Sequence, residues 1–113
     1  MCTQSEAMQI LREAVEACSR LLDGKVRNAW LYGSYARGDF HEGSDIDVLL
    51  TVDMTAEELR DRRRAISVVN SDLSMEHDVT VSVTAKPLAQ FIRYADSLPY
   101  YRNVLQESIT YGA

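Results

Sequence analysis

The sequence predicts an α/β (α+β) fold: a small mixed sheet of three strands, or slightly more, with helices packed on one face. Three observations predict it. An apolar stripe at three-four spacing fills residues 4–23, and a second follows Thr55. Short β-rich runs, VRNAWLY and DIDVLLTV, alternate with those helices. The run HDVTVSVT alternates valine with polar residues, so one face wants cover and the other can stay open.

The first helix is expected over 4–23. Ala7, Ile10, Leu11, Ala14, Val15, Cys18, Leu21 and Leu22 form its buried stripe, and Asp23-Gly24 ends it, with glycine suited to the left-handed terminal position. A strand over 26–32 runs into Gly33-Ser34, and residues 35–40 suit a short helical turn. A second strand covers 45–52. Thr55, with Glu58 three residues on, is a capping-box signature for one long helix carrying Leu59, Ile66, Val69 and Leu73. A third strand is expected over 77–84. Two further helices open on Pro87 and Pro99, where proline fits the first turn, and end near Ala95 and Tyr111.

The chain has 113 residues, 46% hydrophobic, which predicts one domain over 1–113 with a modest core. The net charge is −5, so stable nucleic-acid binding is not expected. Two cysteines without metal or disulfide spacing fit a reducing cytoplasm. No apolar run reaches the ~18 residues of a membrane span, and no secretory leader is evident.

Residues 33–50, GSYARGDFHEGSDIDVLL, carry the chemistry. Asp45 and Asp47 are two apart on an expected strand, so both point to one face. Two carboxylates this close repel, which raises a pKa or calls for a cation. Their oxygens suit Mg²⁺ shared with substrate phosphates. Two ions ~3.5–4 Å apart would clamp the attacking and leaving oxygens of a phosphoryl or nucleotidyl transfer. Asp78, expected at the start of the third strand on its polar face, is the candidate third carboxylate. Gly33 lets a phosphate approach the backbone closely, and the Ser34 hydroxyl can donate to it. Arg37 either reaches the triphosphate or forms a salt bridge that orders the loop. No Walker A or Rossmann fingerprint occurs.

The compound pattern Gly33-Ser34-x-Ala36-Arg37-Gly38, then Ser44-Asp45-x-Asp47 with Leu50, resembles the signature of the minimal nucleotidyltransferases of the DNA polymerase β-like superfamily. The resemblance spans nearly the whole order of elements. It implies a polymerase-β-like nucleotidyltransferase fold, with ATP as substrate and Mg²⁺, two ions, as cofactor. It implies that Gly33, Ser34, Arg37 and Ser44 form the nucleotide-binding loop. It implies that Asp45, Asp47 and Asp78 are the catalytic and metal-binding set. Family members are often paired with a HEPN-type toxin partner, and some look like antitoxins that transfer AMP to a tyrosine of it. A non-catalytic nucleotide-binding or protein-docking module that neutralises a partner by complex formation is the alternative; a homo-oligomer is compatible with either.

Other features read more plainly. Arg60, Arg62, Arg63 and Arg64 suit a solvated helix face, His41 a surface loop, and Trp30 the core. His77 points away from the Asp78 face and is not made catalytic. Tyr100 and Tyr101 would pack the last helix on the sheet or meet a partner.

Overall fold

In the computed structural model, residues 3–95 and 97–99 and the backbone of 109–110 are described. Helix α1 spans Gln4–Leu21 and opens on Thr3, whose hydroxyl accepts the Glu6 N–H at 3.1 Å. Asp23 and Gly24, both at positive φ, turn the chain into strand β1, Val26–Tyr32. A four-residue helix α2, Ser34–Arg37, and a loop lead to β2, Ile46–Val52. Helices α3, Ala56–Asp61, and α4, Arg63–His77, cross over to β3, Val81–Pro87. Helix α5, Leu88–Tyr94, follows directly, and a two-residue strand β4, Ile109–Thr110, completes the sheet. Among the described residues no helix is long and apolar enough to cross a membrane.

The strand order is β3-β2-β1-β4. β1 runs antiparallel to β2 and β4, while β2 and β3 are parallel, so the sheet is mixed as the sequence predicts. A parallel pair needs a long crossover, which α3 and α4 supply. On one face Ile46, Val48, Leu50 and Val52 are fully buried under Ala7, Ile10, Leu11, Ala14 and Cys18 of α1 and Ile66 and Leu73 of α4. Each such aliphatic side chain is worth about 1.5–3 kcal/mol of burial. Cys18 belongs to this core, and burial pushes its thiol pKa up to about 11, so it is an inert packing residue.

The structure departs from the sequence expectations in four places. The long helix after Thr55 is two helices. Arg62 interrupts it and reaches back to α1, donating to the Leu21 carbonyl at 2.7 Å and pairing with Asp23 at 3.1 Å. This arginine of the basic run is therefore a tie to the open end of α1. The third strand is displaced: His77 closes α4, Asp78 follows in the left-handed conformation (φ 53°), and pairing begins only at Val81. Helices also reach the second sheet face, where Phe91 of α5 stacks on Trp30 with ring centroids 4.9 Å apart over Leu49. Finally, Ile109–Thr110 pairs with β1 where a helix to Tyr111 was expected. The rest of that segment, with Tyr100 and Tyr101, lies outside the described residues.

Candidate functional site

The site forms where β1 ends and β2 begins. Tyr32 pairs with Asp47 across the two strands. Gly33, the next residue, turns the chain at φ +82° and ψ −156°, a combination open essentially to glycine alone. A β-carbon built there would stand 3.0 Å from Asp47 Oδ2. The glycine thus leaves the Asp47 carboxylate flush against the backbone that opens α2, and any side chain would fill that space.

The loop is held from beneath by residues that sequence reasoning passed over. Tyr35 is buried and stacks on Phe40 at 4.4 Å between centroids, and its carbonyl accepts Gln4 Nε2 at 2.9 Å. Two aromatics five apart in a glycine-rich run were the available signal. Ser34 is half-buried at the first position of α2. Gly38 ends that helix in the left-handed region and donates to the Ser34 carbonyl. Arg37 is exposed and its Nε lies 3.2 Å from Asp39, which makes it, in this conformation, a residue that orders the loop. Ser44 is buried. Its hydroxyl accepts the His41 N–H at 2.9 Å, and its own N–H donates to the His41 carbonyl. His41 Nδ1 accepts the Gly43 N–H at 3.0 Å, so this histidine builds the turn before the carboxylates.

Asp45 lies one residue before β2 and is exposed; Asp47 is the strand's second residue and half-buried. Burial, then the charge of Asp45, pushes the Asp47 pKa up from its ordinary 3.8. A carboxylate disfavoured in this way gains from a bound cation. The donor set is hard oxygen at a rigid strand end, and Gly33 keeps it open, so the residues present fit Mg²⁺.

Asp78 is not on the strand. It is exposed at the C-terminal cap of α4, two residues before Thr80, whose carbonyl accepts the Ile46 N–H. It therefore stands at the same end of the sheet but outside the register. The residue paired with Asp47 on β3 is Ser82, exposed and on the same face. The structure thus aligns Asp47 with a hydroxyl. Elsewhere, Glu13, Glu76 and His77 gather ligand atoms within 4.8 Å of one another, with His77 Nε2 3.2 Å from Glu13. They form a polar contact between α1 and α4.

Comparison with known proteins accords with this geometry. Residues 11–111 match the nucleotidyltransferase domain family. A candidate protein adenylyltransferase of Methanocaldococcus jannaschii, MJ0141, is 35% identical over 77 residues, which cover 68% of this chain and 76% of that protein. A nucleotidyltransferase-like protein of Sulfolobus solfataricus superposes with a TM-score of 0.57 at 20% identity, over 95% of this chain and 84% of the other. A toxin–antitoxin structure with AMP-PNP superposes with a TM-score of 0.53 at 21% identity, over 87% and 73%. At those identities the two structures speak for the fold alone. The family match covers most of the sequence and includes Gly33, Asp45 and Asp47 at one strand end: the chain belongs to the nucleotidyltransferase domain family.

Proposed function

We propose that this nucleotidyltransferase moves AMP from ATP to a hydroxyl of a protein partner, a tyrosine of a HEPN-type toxin, and so acts as an antitoxin. The observation that carries the reading is the closeness of the Gly33 turn to the Asp47 carboxylate, which a β-carbon there would meet at 3.0 Å, beside Asp45. A glycine turn and a carboxylate pair that share one point support a site where phosphate and metal meet. The candidate adenylyltransferase relative and the toxin–antitoxin neighbour with AMP-PNP support the choice of nucleotide and partner.

In this reading Asp45 and Asp47 hold Mg²⁺, which when bound supplies positive charge against the triphosphate and the departing pyrophosphate. Gly33 admits the phosphates to the backbone, and Ser34 donates its hydroxyl to them. Ser44 keeps the turn before Asp45 in place, and Arg37 leaves Asp39 to meet the triphosphate. Asp78, from its turn at the same sheet end, is an outlying third carboxylate. The acceptor oxygen bonds to the α-phosphorus as the bond to the pyrophosphate oxygen breaks, and the acceptor proton passes to a carboxylate or to water. Gly33, Ser34 and Tyr35 hold the loop fixed, so alignment costs little at the moment of reaction.

The test is incubation of the protein with Mg²⁺, ATP labelled at the α-phosphate and the partner protein. Label on the partner that vanishes with Asp45→Asn/Asp47→Asn is the expected result. A second reading is favoured by Ser82, which puts a hydroxyl and not a third carboxylate opposite Asp47 in the register. There the chain neutralises a partner by docking, and the same experiment gives a stable complex without label.

A further inference from the structure

A groove of about 270 Å³ opens at the far end of β3, between that strand and helices α3 and α4. Arg60, Arg63 and Lys86 line it over a floor of Leu59 and Ile66, and among the described residues no carboxylate lines it. In a chain of net charge −5 this is a local reversal of sign. None of the three cations has an ion pair among the described residues, whereas Arg27, Arg37 and Arg62 do.

The edge of the sheet adds a second observation. β3 is a terminal strand, and its even-numbered residues face β2, as the Thr80 carbonyl shows by accepting the Ile46 N–H. Its odd-numbered residues turn their backbone outward. Helix α4 takes up the first two outward N–H groups: Ser74 Oγ accepts from Val81 at 2.8 Å, and Asn70 Oδ1 from Val83 at 2.9 Å. The cover stops there. Ala85, the next outward residue, has no such partner among the described residues and lines the cationic groove. An uncovered edge is a template for an added strand.

We propose that this groove docks an extended acidic segment of the protein partner, which pairs its backbone with Ala85 and sets its carboxylates against Arg60, Arg63 and Lys86. Register places Lys86 on the Asp47 face of the sheet, four residues beyond Ser82, roughly 13 Å along the strand. A segment held there lies beside the nucleotidyl-transfer site and leaves it open. The inference deepens the proposed function and rests on its protein acceptor.

The test uses the full chain without ATP or Mg²⁺, so that it fails or succeeds independently of label transfer. A fluorescein-labelled octapeptide of alternating glutamate and valine is titrated by fluorescence polarisation, with a lysine–valine octapeptide as control. The acidic peptide binds at least ~10-fold more tightly than the control, and its affinity falls as salt rises. Arg60→Glu/Arg63→Glu weakens it ~10-fold or more. Ala85→Pro, which removes the outward N–H without changing charge, weakens it about threefold. Thermal melts of both variants check that they fold. Equal binding of the two peptides, or no loss on charge reversal, overturns the proposal. An unchanged affinity in Ala85→Pro overturns the strand pairing, and displacement of the peptide by a short RNA at lower concentration overturns the protein partner.

Discussion

β2 and β3 lie side by side and obey the same alternation, yet they use it differently. β2 is central, with a neighbour on each side, and every residue from Ile46 to Val52 has a partner on β3. β3 is an edge, and α4 shapes it as much as its own residues do: Asn70 and Ser74, one helical turn apart, bond the outward backbone of Val83 and Val81. A central strand is thus specified by its own pattern, whereas an edge strand is specified partly by the element that covers it. The consequence is chemical, because the candidate carboxylates are divided between the two: Asp47 on the central strand, Asp78 on the approach to the edge.

The largest expected effect tests that division. Asp47→Asn lowers AMP transfer by roughly 10²–10³-fold or more, since it removes an oxygen donor fixed against the Gly33 turn. Asp78→Asn lowers it by less than ~10-fold, as befits a side chain outside the register. Initial rates of label incorporation at saturating ATP decide between them. Equal, large losses in both variants would mean that Asp78 reaches the site from its turn, and the division would fall.

How much was legible follows the same line. β1, β2, the glycine turn between them and the capping box at Thr55 are written locally, each in a run of adjacent residues, and all appear as expected. The polar face of the third strand was legible too: Ser82 and Thr84 lie on it, and Val81 and Val83 are buried beneath. Its start was not, because Asp78 ends a helix in the left-handed conformation that aspartate tolerates, and alternation alone does not mark that switch. Neither the break at Arg62 nor the loop-building role of Ser44 was visible in sequence. The first depends on a bond to another segment, Arg62 to Leu21, forty-one residues away; the second is local, a Ser44 hydroxyl turned back on the His41 backbone, which a serine in a loop does not by itself announce.

The edge itself can be broken. Asn70→Ala leaves the Val83 N–H and carbonyl without their side-chain partner, at a cost of about 1–3 kcal/mol. At roughly 4–8 °C per kcal/mol for a small domain, thermal unfolding by circular dichroism should register it readily. A hydrophobic truncation in β2, such as Leu50→Ala, costs about 2–5 kcal/mol by leaving a cavity. The two kinds of loss separate the strands: β2 depends on packing, and β3 on borrowed hydrogen bonds.

The comparison also suggests a gain. Ser82→Asp puts a third carboxylate beside Asp47 in the register of the parallel pair. Mg²⁺ affinity, read by isothermal titration, should rise by roughly 5–10-fold, because a hard cation gains an anionic oxygen on a rigid element. Unchanged affinity would show that Asp78 already fills the third position.

The smallest effect concerns stability, and its sign is opposite to that on activity. Asp47 has a folded pKa above its ordinary 3.8, through burial first and the Asp45 charge second. Between those two values the native state holds more protons than the unfolded chain, so stability falls as pH rises through that window and stays reduced above it. Asp47→Asn removes the ionisation and with it the penalty. In metal-free buffer at pH 7 its Tm should exceed that of the unaltered protein by roughly 2–4 °C, from a relief of under ~1 kcal/mol. The difference should shrink as pH falls through the raised folded pKa toward the ordinary 3.8, as the native Asp47 carboxyl takes up its proton. Adding Mg²⁺ should close the gap from the other side, by stabilising the unaltered protein and not the variant. An Asp47→Asn protein that melts below the unaltered one at pH 7 would mean that the carboxylate is held by favourable contacts, and the site would have no electrostatic need for a cation.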